Sequence, residues 1–182
     1  MARITRHWLS FYHRNEAANW DIPIYKLMSI VLIVALNSRS GDVSLSSRYI
    51  GNEYLHWKDV HIQVPPDSTD LKEIEIRVVL RYSKAKKDVL QDDIIKHFTL
   101  IQNVNYLHVC PIVWILIHAL RQDLVKDGPR LEGVLEHARK YNGCIIEWTE
   151  PDYPVLAAIS LGSGLRQCDP ASPASSYQPS IR

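Results

Sequence analysis

The segment from Ile24 to Asn37 constrains this chain more than any other. It contains no Gly or Pro and carries apolar side chains around most of a helical circumference, most densely at Leu27 to Leu36 (LMSIVLIVAL). A helix that is apolar on every side has to be enclosed by other elements. The greasy run is about half the roughly 20 residues that a membrane span needs, so it reads as a helix buried within a domain. Pro23 precedes it, and the polar run Asn37-Ser38-Arg39-Ser40-Gly41-Asp42 ends it. Enclosing such a helix takes apolar mass, and 182 residues with 46% apolar and 23% charged positions supply it within one domain.

The other elements follow from changes of period. Ser40 or Asp42 is placed to cap a short helix over Val43 to Arg48, before Gly51-Asn52 breaks the chain. Trp57, Val60, Ile62 and Val64 then lead into the loop Pro65-Pro66-Asp67-Ser68-Thr69-Asp70. From Glu73 to Tyr82 the residues Ile74, Ile76, Val78, Leu80 and Tyr82 alternate with Glu73, Glu75, Arg77, Val79 and Arg81, the cleanest strand pattern in the chain. A basic turn, Ser83-Lys84-Ala85-Lys86-Lys87-Asp88, separates it from a third antiparallel strand at Lys96 to Ile101. Cys110-Pro111 opens a second long helix running to about Lys126, stopped by Asp127-Gly128-Pro129, and a weaker helix spans Leu131 to Lys140. The sequence divides into an N-terminal remnant at 1–22, for which a helix is one option, a body at 23–160, and a Ser/Pro-rich flexible tail at 161–182.

Composition removes several function classes. Lys and Arg number 21 against 20 Asp and Glu, so the net charge of +1 gives no molecule-wide pull toward nucleic acid or membrane, and partners have to be read locally. Cys110, Cys144 and Cys168 are too few and too widely spaced for a disulfide framework, and no CxxC pair offers a zinc site. The histidines at 56, 61, 97, 108 and 118 are scattered singles that read as strand and helix surface positions, so neither a metal nor another cofactor is expected. Arg3, Arg6, His7, Arg14 and Glu16 interrupt the first 20 residues, which therefore do not read as a secretory signal. A nuclear or cytoplasmic location is the expectation, with no membrane and no small-molecule substrate.

One order of parts carries chemistry: a buried helix, the turn Arg39-Ser40-Gly41-Asp42, then Gly51-Asn52-Glu53-Tyr54-Leu55-His56-Trp57-Lys58-Asp59-Val60, then a lysine-bearing hairpin. This order resembles the first half of the tyrosine recombinase (phage integrase) catalytic domain, with Asp42 where that family usually has Glu. It is most similar to the integrase-like FluG-domain proteins of filamentous fungi, which include recombinases of giant mobile elements. The likeness runs from about Met28 to Leu124, through the Phe98-Thr99-Leu100 strand and the Cys110-Pro111 helix. It is joined by Ile146-Glu147-Trp148-Thr149-Glu150-Pro151-Asp152-Tyr153-Pro154-Val155-Leu156, and it covers about two thirds of the chain.

The resemblance implies an α+β fold: a mostly helical, integrase-catalytic-like domain with a small three-stranded antiparallel sheet, incomplete at its C-terminus. It implies phosphoryl-transfer chemistry on DNA, in which planar guanidinium groups hold the charge that builds on a phosphate under attack by a tyrosine. Arg39 would be the first such clamp, and Lys84 the hairpin lysine that protonates the departing oxygen. Arg81, Lys86 and Lys87 would contact DNA phosphates. The second clamp arginine and the nucleophile are unmatched: His137-Ala138-Arg139-Lys140 with Tyr141 has Lys where Arg belongs, and it precedes the Trp148 to Leu156 motif instead of following it. Arg39 and Lys84 are therefore expected to be vestigial. The expectation is a truncated, inactive recombinase-like protein with weak, salt-sensitive affinity for duplex DNA. The rival readings are a small nuclear scaffold without DNA chemistry and a decayed reading frame that barely folds.

Overall fold

The computed structural model describes residues 1–15, 19–44, 54–66, 73–81, 93–126, 128, 130–141, 143–156, 159–160 and 164–165. Helix α1 (Ala2–Arg14) lies in the stretch that reads as an N-terminal remnant. It is followed by α2 (Asp21–Leu36) and the single turn α3 (Ser40–Val43). Strands β1 (Val60–Gln63), β2 (Glu75–Leu80) and β3 (Ile94–Thr99) come next, then α4 (Pro111–Arg121) and α5 (Leu131–Tyr141). A two-residue ladder joins β4 (Ile159–Ser160) to β5 (Gly164–Leu165), and the rest of the expected tail lies outside the described residues.

The molecule is α+β, as the period changes predict. Its β1-β2-β3 sheet is antiparallel, with Val60 opposite Val78 and Leu80 opposite Ile94. Leu27, Met28, Val31 and Leu32 of α2 have no exposed surface, which is the enclosure that an all-round apolar helix demands. Helix α2 packs against α4, and Val60, Ile62, Ile76 and Val78 bring the inner side of the sheet into the same apolar cluster. Helix α1 rests on the 3-10 helix Val104–Val109, where Arg6 donates to the Asn105 carbonyl and the His108 ring meets the Ala2 carbonyl at 3.0 Å.

Several predicted boundaries move for physical reasons. Helix α2 begins at Asp21 and takes Pro23 into its first turn, where a missing amide costs nothing. Helix α4 ends at Arg121 rather than near Lys126. Asp123 adopts φ 52°, the Leu124 amide closes back on the Ala119 carbonyl, and the chain then pairs with 147–149 through Lys126 to Glu147 and Thr149 to Leu124 hydrogen bonds. That tertiary ladder, not Asp127-Gly128-Pro129, stops the helix. The short helix after the Arg39 turn starts at Ser40 instead of Val43, and residues 45–48 of its expected span lie outside the described residues.

Candidate nucleic-acid interface

The Arg39 turn is built by its neighbours. Asn37 closes α2 in the left-handed conformation, and Ser38 donates its amide to the Ile33 carbonyl. Asp42 accepts the Arg39 amide at 3.1 Å through Oδ2, holding the turn as a side-chain cap on the first turn of α3. The Arg39 side chain is exposed, and its guanidinium has no hydrogen-bond or ion-pair partner among the described residues.

The sequence-distant motifs meet along one seam. The Val155 amide donates to Leu55, Trp57 to Tyr153 and Lys58 to Pro151, so the lead into β1 runs beside 151–155. One residue on, Leu156 bridges Ser44, five positions after Arg39. Residues 154–156 thus join the Arg39 turn to the start of the sheet. Trp148 seals the same joint: its Nε1 donates to the Val60 carbonyl at 2.8 Å and its ring lies 4.6 Å from that of Trp57, which is fully buried. At the rim Lys58 and Asp152 pair at 2.6 Å, which raises the lysine pKa and lowers that of the carboxylate.

Asp59 anchors the base of the hairpin. Its carboxylate is 2% exposed and accepts from Arg81 Nε at 2.5 Å and from the His56 amide at 3.4 Å. Arg81 also lies 3.9 Å from Asp93. Arg81, which the sequence marks as a DNA contact, therefore shares its half-exposed guanidinium with two carboxylates where the chain leaves β2 and re-enters β3. Lys84, Lys86 and Lys87 fall between those two points and lie outside the described residues. Antiparallel pairing of Leu80 with Ile94 fixes only the two ends of that connection. Arg139, from the motif that imitates a second clamp, donates to the Pro65 carbonyl at 3.1 Å and ties α5 to the exit of the sheet.

Two histidines that read as surface positions in the sequence are interior. His56 is 4% exposed against the Tyr54 ring, and His118 is 5% exposed, stacked on Trp57 and edge-on to Tyr25. Burial lowers both pKa values, that of His118 to about 4, with the nearby Asp21 carboxylate opposing the shift. The sequence gives no signal for the burial of His118, because its neighbours on α4 are apolar on nearly every side. His118 also lines a cavity of about 70 Å³ with Tyr25, Leu124, Glu150 and Tyr153. That is well below the ~300 Å³ at which small-molecule sites begin. Among the described residues no group of His, Cys, Asp and Glu is arranged to hold a metal ion, and no helix is long and apolar enough to cross a membrane. Comparisons with protein-family models, with curated proteins and with solved structures find no match.

Proposed function

We propose that this chain is a tyrosine-recombinase-like module of mobile-element origin that binds duplex DNA, with Arg39 and the hairpin lysines Lys84, Lys86 and Lys87 facing phosphates. One observation carries the reading: the 154–156 segment hydrogen-bonds Leu55, in the lead into β1, on one side and bridges Ser44, at the end of the turn that Arg39 opens, on the other. A permanently charged guanidinium with no partner among the described residues suits phosphate contact. Asp59 and Arg81 add to this by fixing where the lysine-bearing connection leaves the sheet.

The proposal assigns binding and no strand cleavage. The His137-to-Tyr141 motif has Lys140 where the second clamp arginine belongs, and its Arg139 donates to the Pro65 carbonyl, so no second clamp is assigned there. The test is retention of a short duplex as salt is raised. Wild-type chain should bind at low salt and weaken steeply, and Lys84→Ala with Lys86→Ala should lower the salt slope by about 2, because two phosphates would no longer be neutralised. Arg39→Ala should lower it by about 1. No retention at low salt, or retention unchanged in these variants, would leave a folded interaction surface without a DNA partner.

A further inference from the structure

The outer side of the sheet carries a second cationic feature that the hairpin reading does not use. His61, Arg77 and His97 are directly opposite one another across β1, β2 and β3. Three residues in one register row point to the same side of a sheet. At a strand spacing of about 4.8 Å the row is roughly 10 Å wide. Arg77 and His97 are exposed and His61 is half-buried, whereas Ile62, Ile76 and Val78 of the intervening positions are buried on the other side. Arg77 has no hydrogen-bond or ion-pair partner among the described residues. The next row toward the strand ends is Gln63, Glu75 and Thr99. In the opposite direction β2 carries Val79 and then Arg81, which is committed to Asp59 and Asp93.

We propose that this His61-Arg77-His97 row is a phosphate-contacting surface, a fixed guanidinium flanked by two imidazoles, whose affinity for the anion rises as pH falls. The inference rests on the reading that the module binds duplex DNA, which makes the phosphates those of the duplex backbone. Arg77 supplies the charge present at every pH, and a guanidinium fork matches two phosphate oxygens. The imidazoles add ring N–H donors when neutral and further positive charge when protonated. The groups around His61 are Arg77 beside it on β2, Asp59 two residues back, and Arg81; on the other edge of β1 the Ile146 amide donates to the Ile62 carbonyl, and the following Glu147 is paired with Lys126; Glu75 lies one row away, and Lys96 of β3 belongs to the opposite parity. Burial first, then Arg77, and then Arg81 hold the His61 pKa below its ordinary value, with Asp59 opposing them. A bound phosphate offsets the repulsion from the two arginines and favours the imidazolium, so binding takes up protons and tightens on acidification.

The experiment measures fluorescence anisotropy of a labelled duplex with the full chain, at pH 8 and pH 5.5 and one fixed ionic strength. Wild type should tighten roughly five- to tenfold at the lower pH, the return from two charge contacts of exposed strength. His61→Gln with His97→Gln should remove most of that tightening, so that its affinities at the two pH values converge. Arg77→Gln should weaken binding at both pH values. A double-Gln variant with the wild-type pH profile, or an Arg77→Gln variant with wild-type affinity, would overturn the row as a contact surface even if the Lys84 and Lys86 substitutions abolish binding. The second arm is histidine-ring NMR during titration with inorganic tripolyphosphate. Shifts at His61 and His97, with a raised His61 pKa, support the site; unmoved rings overturn it. If the duplex is not retained at all, the DNA reading fails, and this second arm alone decides whether the row binds phosphate.

Discussion

His118 shows how one residue couples packing to pH. Its imidazole is stacked on Trp57 inside the core and held neutral, with a pKa brought down to about 4 from 6.5 by burial. Unfolding returns the ring to water, where it takes a proton more readily. The group therefore contributes stability that is fully present above about pH 6.5 and is lost as pH falls toward 4, on the order of 3 kcal/mol in all. Urea denaturation between pH 4 and 7 should show that slope, and His118→Phe, which keeps an aromatic ring on Trp57 without a titrating group, should flatten it. An unchanged slope in the variant would assign the pH dependence elsewhere. The lone position of His118 in the sequence concealed its burial, because period identifies a helix face only when the other residues on that face are apolar and those opposite are polar. In α4 almost every position is apolar, so the buried side was not distinguishable. Trp57 lies in a 3-10 turn just ahead of β1, out of step with the alternation that Val60 and Ile62 carry, and is buried with them.

At the scale of elements, the sheet was readable and the helix ends were not. Alternation from Ile74 to Leu80 sets the face of β2, and the register then carries Ile62, Val60 and Phe98 to the same side. Helix ends depend on single backbone conformations that composition does not mark. Asn37, Asp123 and Cys144 all take positive φ without being glycine. Asn37 and Asp123 stand in polar runs and carry a recognised preference for that conformation, whereas Cys144 has neither. At φ 50° and ψ 44° Asn37 ends α2 beside the Arg39 turn, with the Ser38 amide closing on Ile33. Asn37→Gly should leave stability unchanged or raise it by a few tenths of a kcal/mol, and Asn37→Ala should cost about 1 kcal/mol. Thermal unfolding of the two variants checks the order, and an equal drop in both would mean that the Asn37 side chain, not its backbone, holds the turn.

On the scale of the whole molecule, local charge has to do what net charge does not. With a balance of +1 the chain offers DNA no general attraction, so binding requires cations gathered on one side. The seam at 154–156 brings the Arg39 turn to the start of the sheet, and the Asp59–Arg81 pair fixes the strand ends from which Lys84 is reached. The sequence set the motifs in order without placing them against one another. It did not reveal the joint between them, because Ser44, Leu55 and Leu156 meet through backbone hydrogen bonds and bridges that any side chain could accompany. The central claim is that residues 39 and 84 serve one phosphate-binding side. The most direct measurement is the spin-label distance between Arg39→Cys and Lys84→Cys in a chain whose native cysteines have been replaced by alanine. A molecule of this length is roughly 30–40 Å across. The account predicts a distance distribution centred below about half that width; labels separated by the full width would place the guanidinium and the lysine on opposite sides and contradict it.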